Sequence, residues 1–457
     1  MAALAEILSA RGARVSGSDT AEEFYTDEVL RRLSIPFVEG FREENLPPDA
    51  QLVIHSAAYR RDENPELISA VRRGVPLVIY PEALGLLSSR SDSSGISGVH
   101  GKSTTTAMCG AIIKEWGFPA TVLVGAEVPA FGGRSTVVQG DRYLVAETCE
   151  YRRHFLNFHP SRIVITSVEP DHLDYFRDLE DMLSAFEAYG LSLPPGGVLI
   201  YCHDDPGARE AASRIGSRRS DLVMMPYGRT APGPLRISRE ESGEGRSSFS
   251  LDGMLGRFTL KVPGAHNILN ATAAIGLCTQ LWASARGADT PPDLNGVTRA
   301  LAGFSGSRRR SEIVGEAGGV LVMDDYGHHP TAIEKTLEGI ASFHPGRRLV
   351  VDFMSHTYSR TQALLKEFGT CFAPADLVIL HRIYASAREK NEAGITGRDL
   401  FREVSRHHPH ATYFEEPLDA LPFLASELKR GDIFITMGAG DNWKLGRELL
   451  TARGGAG

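Results

Sequence analysis

Gly98, Val99, His100, Gly101, Lys102, Ser103 and Thr104 follow one another in an order suited to binding phosphate. Glycine lets a backbone approach phosphate oxygens closely, and a helix that follows offers unpaired N–H groups at its positive end. Lys102 can place a point charge on the outer phosphates. A hydroxyl from Ser103 or Thr104 can bind the Mg²⁺ that accompanies ATP. The spacing is GxxGKST, shorter than the general GxxxxGK[ST] loop. The plainer alternative is a glycine turn before a helix that happens to contain GKS. Helical periodicity that begins where the motif requires it favours phosphate binding. The strand expected ahead of the loop, at 93–97, is far less apolar than a buried central strand should be.

Further polar residues lie at the ends of apolar runs. Glu147 closes YLVAE, and Asp171, His172, Leu173 and Asp174 follow RIVITSV. In a parallel α/β sheet the strand C-termini converge on one edge, where ligands bind. Glu147 and His172 are therefore expected to meet at the phosphate loop and hold one or two divalent ions. Histidine among the ligands allows Mn²⁺ to replace Mg²⁺. The alternative is a strand-end acid and a solvated DHLD turn. Arg308, Arg309 and Arg310 read either as a solvated face or as a clamp on a transferring phosphoryl group. Asp324 and Asp325 end the next strand ahead of Tyr326, His328 and His329. Such acids can accept ribose hydroxyls, and the histidines can serve as acid, base or orienters. His356, Tyr358 and Arg360 follow another strand, where a cation suits a substrate carboxylate.

A regular alternation of elements would position these residues. Apolar runs predict strands at 143–147, 162–168, 198–202, 320–325, 349–354, 377–380 and 433–437. Continuous rather than alternating runs indicate strands buried on both faces, hence parallel sheets covered by helices. One helix follows Lys102, with Met108, Ile112 and Trp116 on one face, and ends near Gly117. Another starts at Thr331, with Glu334 three residues on as a capping box. A third starts with Thr396 and Asp399. This is an α/β protein. The serine-rich stretch 88–97 reads as a linker running into a strand, and polar and glycine content rises again over 311–319. Domain boundaries are placed near 89 and 312. Residues 230–248 read as loops and hairpin turns.

The N-terminal residues fit the interior of a nucleotide-binding βαβ unit. Residues 2–10 read as a helix, with Leu4, Ile7 and Leu8 on one face and Gly12 ending it. A strand from 14 to 17 follows and finishes at Asp19. The helix, second strand and acid of such a unit are present; its first strand and glycine loop are absent.

Composition narrows the class. At about 150 residues per domain, a chain of 457 residues holds roughly three. It is 42% hydrophobic and 23% charged, values ordinary for a globular protein and unlike a disordered chain or a rod. Lys plus Arg number 49 against 57 Asp plus Glu, a formal charge of −8, which argues against a nucleic-acid binder. Five scattered cysteines without a CxxC argue against a disulfide framework or zinc site and fit a reducing cytosol. No run is long enough to span a bilayer, and no signal peptide is read at the N-terminus.

Taken together, GVHGKSTTT, AETCEY, EPDHLDYF, PGAHNILNA, DDYGHHPTAI, SHTYSRT and IYASAREK resemble the Mur ligase family of peptidoglycan synthesis, most of all its alanine-adding branch. The resemblance covers essentially the whole chain. It implies three domains: a truncated Rossmann-like UDP-substrate domain (1–89), a P-loop ATP-binding central domain (90–312) and a Rossmann-like C-terminal domain admitting the amino acid (313–457). It implies a cytoplasmic ligase of cell-wall biogenesis, tied to cell shape, division and the cell cycle. ATP and Mg²⁺, or Mn²⁺, are the implied cofactors. UDP-N-acetylmuramate and L-alanine are the implied partners, with no nucleic acid and no membrane.

The resemblance also assigns roles. Gly98, Val99, His100, Gly101, Lys102, Ser103 and Thr104 would bind ATP, with Lys102 on the β- and γ-phosphates. Ser103, Thr104, Glu147 and His172 would hold metal. His266, Asn267 and Asn270 would lie near the adenine. Arg310 would face the γ-phosphate and Asp325 the ribose. His356 and Arg360 would place L-alanine. Asp19 and the HSAA stretch beginning at His55 would line the UDP site.

Departures from the family pattern are the missing first strand and GxGGxGMS loop, Ser103 in place of threonine, and Ser311 in place of an aromatic. Phe186 stands at the place of the carbamylated lysine of sister ligases, and Cys149 replaces an acid. The missing loop implies a misassigned start codon or a ligase deficient in substrate binding. The nearest rival is the related ligase that attaches a recovered tripeptide to the same nucleotide sugar. A P-loop kinase or hydrolase is a second.

Overall fold

The computed structural model describes residues 1–20, 25–172, 175–243, 245–385, 391 and 394–454. Leu173, Asp174 and residues 386–390, the SAREK end of the IYASAREK segment, lie outside the described residues. The chain divides into two compact units. The first comprises Met1–Val168, Leu183–Pro226 and Ala273–Gly296; the second comprises Glu169–Met182, Tyr227–Thr272 and Val297–Gly457.

In the first unit a seven-stranded sheet carries, in spatial order, Val223–Tyr227, Val198–Cys202, Arg162–Ile165, Asp92–Ser97, Tyr143–Glu147, Ala120–Val128 and Arg134–Val138. Asp92–Ser97 is thus a central strand, parallel to both its neighbours. The strand expected at 93–97 is therefore present, beginning one residue earlier at Asp92, and the linker ahead of it is short, because the helix Tyr80–Ser88 occupies the start of the serine-rich stretch. Ser93, Ser94 and Ser97 are fully buried, and the Ser93 hydroxyl donates to the Ser88 carbonyl at 2.8 Å. Small side chains are needed because Tyr189 packs directly on the strand. A Cβ added at Gly95 would lie 2.1 Å from the Tyr189 hydroxyl. The stretch is polar in composition but short in side-chain reach, and its strand character comes from the tertiary packing.

The same unit begins with the helix Ala2–Ala10, which buries Leu4 and Ile7. The strand expected over 14–17 forms at Gly17–Asp19, in parallel with Phe37–Glu39. Val53–His55 and Leu77–Ile79 make a second parallel pair.

The second unit holds a three-stranded antiparallel sheet, Ile237–Gly243, Arg246–Leu251 and Phe258–Leu260, within and beyond the region read as hairpin turns. Its larger sheet has six strands in the order Glu312–Ala317, Val320–Asp325, Ile433–Met437, Leu349–Phe353, Leu377–Leu380 and Ala411–Tyr413. Only the first pairing is antiparallel. The polar stretch beginning at Ser311 therefore includes an edge strand, half-exposed and for that reason rich in polar residues. Along the inner strands successive side chains enter opposite cores. Val351 and Phe353 join one, with Ile333 and Leu337; Val350 joins the other, with Leu445 and Leu449. Burial on both faces is why these strands read as mostly continuous apolar runs, with Asp324, Asp325, Asp352 and Thr436 as the polar residues near their C-terminal ends.

Helix starts divide between expected and unexpected. Thr396 and Asp399 form a reciprocal capping box at the helix Gly397–His407. Thr396→Ala is expected to cost about 0.5–2 kcal/mol of stability, measured by urea unfolding, with little effect on turnover. The capping box expected at Thr331 does not form. The helix runs Pro330–Phe343 with His329 at its N-cap, because proline is preorganised for the first helical position. The Thr331 hydroxyl instead reaches Glu169 at 3.5 Å.

Candidate functional site

The phosphate loop connects the central strand Asp92–Ser97 to the helix Lys102–Trp116. Gly98 and Gly101 have φ of 132° and 84°, where a side chain would be strained. The residues after the strand Arg162–Ile165, expected to continue it to 168, leave the sheet and brace the loop. The Val99 N–H donates to the Ser167 carbonyl at 3.0 Å, and the His100 N–H donates to the Ser167 hydroxyl at 2.9 Å. The Thr166 hydroxyl lies between the carbonyls of Ser97 and His100. Gly101 caps a helix whose first turn contains no acid, so its free N–H groups and positive end suit an anion. Ser103 is buried in that turn and Thr104 half-buried beside it.

Lys102 folds back over the loop. Its ammonium donates to Glu150 at 3.0 Å and to the carbonyls of Gly98 and Val99. Burial opposes its charge, but the carboxylates of Glu150 and Glu147 outweigh this and raise its pKa above the ordinary lysine value. Lys102 is therefore a charged group in a nearly dry pocket. Glu150 was not singled out in the sequence. Its signal was an acid three residues after Glu147 in AETCEY. Glu147 ends the strand Tyr143–Glu147 and accepts the Gly125 N–H through Oε2 at 2.8 Å. Its Oε1 makes no hydrogen bond among the described residues. Phe186 is fully buried, edge-on to Phe155 at 5.3 Å, so no ionisable group stands there. Asp19 holds the Thr20 N–H at 2.8 Å, and His55 Nδ1 donates to the Ser56 carbonyl at 2.9 Å.

The second unit gathers another set. His172 takes a left-handed backbone, φ 52°, with its N–H on Asp171 Oδ1 at 2.7 Å. Arg360 bonds the same Asp171 oxygen at 3.0 Å. Burial works against the Asp171 carboxylate, yet the neighbouring His172 and Arg360 hold its pKa well below the usual range. His328 Nδ1 donates to the Tyr326 carbonyl at 2.9 Å. Burial, with Arg360 and Arg310 nearby, holds His328 well below the ordinary histidine pKa. Nδ1 therefore carries the proton of a neutral imidazole, and the same surroundings leave Nε2 a weak proton acceptor. His356 stands edge-on to His328 at 6.5 Å and stacks on Tyr384 at 6.0 Å.

The arginine run divides by role. Arg309 pairs with Asp324 at 2.9 Å and donates to the Gly438 carbonyl at 2.7 Å. Arg309 and Arg310 each place a guanidinium over the Tyr326 ring, 5.2 Å from its centroid. Arg310 has no carboxylate partner among the described residues, which leaves its charge for an anion. Asp325 accepts the Ser311 N–H at 2.6 Å, the Ser311 hydroxyl at 3.3 Å and the Gly327 N–H at 2.7 Å. Of roughly four acceptor positions on a carboxylate, about one remains for a hydroxyl. Asn267 and Asn270 are buried and bond each other at 3.0 Å, with Asn267 also donating to the Pro263 carbonyl at 2.6 Å. They build the start of the helix Ala265–Arg286. His266 lines a cavity of about 210 Å³ with Gly264, Lys335 and Glu338.

Known proteins share this organisation. Family models match in succession: "Mur ligase family, catalytic domain" over residues 1–92, "Mur ligase middle domain" over 96–278, and "Mur ligase, glutamate ligase domain" over 309–440. The UDP-N-acetylmuramate–L-alanine ligase of Treponema pallidum (strain Nichols) is 52% identical over 450 residues, covering 98% of this chain and 94% of that protein. The protein of the same name from Desulfitobacterium hafniense is 39% identical over 453 residues, covering 98% and 97%. The crystal structure of the Thermotoga maritima UDP-N-acetylmuramate–alanine ligase superposes with a TM-score of 0.78 at 25% identity, covering 99% of this chain and 96% of that one. A murein peptide ligase from Psychrobacter arcticus shares the fold, with a TM-score of 0.66 at 20% identity and coverage of 100% and 97%. Three domain matches in register and relatives of this identity across nearly the full length lead to one conclusion: the chain belongs to the Mur ligase family.

Proposed function

We propose that this chain joins L-alanine to the lactyl carboxylate of UDP-N-acetylmuramate, consuming ATP and releasing UDP-N-acetylmuramoyl-L-alanine, ADP and phosphate. The observation that carries this is the 52% identity, over 98% of the chain, to a relative named for that ligation. The carboxylate attacks the γ-phosphoryl group, ADP leaves, and the alanine amine displaces phosphate from the resulting acyl phosphate. The first step brings two anions together, so its requirement is positive charge in a site shielded from water. Lys102, held charged in its pocket, and Arg310 meet that requirement.

Gly98, Val99, His100, Gly101, Lys102, Ser103 and Thr104 bind the triphosphate, His266 lies toward the base, and Asp325 takes a ribose hydroxyl. His356 and Arg360 receive the amino-acid carboxylate. The alanine ammonium must lose its proton before it displaces phosphate, since only the free amine attacks. Asp19 and His55 belong to the UDP side. Mg²⁺ fits the oxygen donors available, the open Oε1 of Glu147 and the hydroxyl of Ser103 or Thr104, and when bound it would neutralise phosphate charge. The family resemblance assigns His172 to the metal as well, and a histidine donor would admit Mn²⁺. Boundaries near 89 and 312 belong to the same proposal, supported by a first family match that ends at 92, a second that spans 96–278 and a third that begins at 309. So does a cytoplasmic location, supported by free cysteines among the described residues. No helix of the described residues is long and apolar enough to cross a membrane.

The test supplies UDP-N-acetylmuramate and ATP with either L-alanine or the tripeptide and follows ADP release. L-alanine alone is expected to trigger it. Turnover with the tripeptide only would reassign the chain to the recycling branch, and phosphate release with neither acceptor would make it a hydrolase.

A further inference from the structure

The six-stranded sheet carries a buried polar network that the reaction above does not use. Asp352, His381 and Asn442 are all fully buried. His381 Nε2 lies 2.6 Å from Asp352 Oδ2, and the Asn442 amide donates to Asp352 Oδ1 at 2.8 Å and to the Met437 carbonyl at 3.0 Å. His381 Nδ1 faces the Phe414 carbonyl at 3.1 Å. These groups sit at the C-terminal ends of Ile433–Met437, Leu349–Phe353, Leu377–Leu380 and Ala411–Tyr413, neighbours in the sheet. Nδ1 must donate to a carbonyl. One proton then lies between Nε2 and Oδ2, and the pair is neutral overall whichever atom carries it.

Buried pairs of this kind add little stability over well-packed apolar residues, so geometry is the gain to look for. His381 opens the segment leading to Tyr384. The Tyr384 N–H donates to the Ser355 carbonyl at 2.8 Å, and the Thr357 N–H returns a bond to the Tyr384 carbonyl at 3.1 Å. Between those contacts lies His356, stacked on Tyr384. Thr357 has φ 67°, a strained backbone that persists only where its surroundings fix it. The helix Tyr358–Ala363 follows and carries Arg360.

We propose that Asp352, His381 and Asn442 are positioning residues for the amino-acid site: they lock the ends of neighbouring strands so that the Ser355–Tyr384 bridge presents His356 and Arg360 to the incoming carboxylate. This rests on the reading of His356 and Arg360 as the amino-acid site.

The experiment is steady-state kinetics on the whole chain, varying L-alanine, ATP and UDP-N-acetylmuramate separately. The double variant Asp352→Leu, His381→Leu removes both charges, and its melting temperature is expected to stay at or above that of the parent. Its KM for L-alanine is expected to rise about tenfold or more while the KM for ATP stays within about twofold, since small misplacements of binding groups are costly. Asp352→Asn keeps every hydrogen bond with a neutral His381, so it should return the alanine KM to within about threefold of the parent. A folded double variant with the parental alanine KM, or one in which both KM values rise together, overturns the proposal. If the double variant does not fold, Asn442→Ala is read by the same split. Arg360→Ala is measured alongside. If it leaves the alanine KM unchanged, the site reading itself falls. If it raises that KM while the network variants do not, the positioning proposal alone falls.

Discussion

Lys102→Ala is expected to lower turnover at least ~10²- to 10³-fold, a loss of roughly 3–4 kcal/mol of charge stabilisation in the transition state. The expectation follows from the pocket. The ammonium is held beside Glu150 and the carbonyls of Gly98 and Val99, where little water screens it. Moved onto a transferring phosphoryl group, the same charge acts at nearly full strength. The substitution also removes a partner from a buried carboxylate, which destabilises by roughly 3–5 kcal/mol when both groups are fully buried. Lys102 keeps some exposure, so the lower end is expected. Adding Glu150→Gln separates the effects: thermal stability should recover while turnover does not. Near-normal turnover of Lys102→Ala would count heavily against the assignment.

Gly98→Ala is the second large effect. At φ 132° an added Cβ would lie 2.1 Å from the Thr166 hydroxyl and 2.8 Å from the Ser167 nitrogen. Neither can yield, because Thr166 and Ser167 are the residues that brace the loop. We expect a stability loss of about 1–3 kcal/mol and loss of detectable ATP binding by calorimetry. Gly117→Ala is the control. Gly117 also has positive φ, 58°, but nothing lies within 4 Å of an added Cβ. It should cost about 1 kcal/mol and leave ATP binding intact. Equal behaviour of the two variants would remove the special role given to Gly98.

Residues differ in how much of this the sequence made legible. The strands Leu377–Leu380 and Ile433–Met437 were readable because both their faces are buried, which makes them apolar but for Thr436. The phosphate loop was readable because backbone chemistry demands glycine at set places, and Thr396 because a capping box is local. Ser93 and Ser94 lie in a strand that was expected but looked too polar for a central one, because its small residues answer to a distant partner, Tyr189, which leaves no room for a Cβ at Gly95. Thr331 was misplaced because Pro330 and Glu169, rather than the local pattern, decide its helix start. Glu150 and the Asp352–His381 pair were missed because their roles, too, are set by distant partners. Each is one acid or histidine among many until folding sets it against a partner 48 or 29 residues away.

The central claim is that the lactyl carboxylate is activated by phosphoryl transfer before alanine attacks. UDP-N-acetylmuramate labelled with oxygen-18 in that carboxylate tests it directly, through the mass of the phosphate released during ligation. One labelled oxygen per phosphate is predicted, because the carboxylate oxygen that attacks phosphorus leaves with it. Unlabelled phosphate formed together with the alanine adduct would contradict the account.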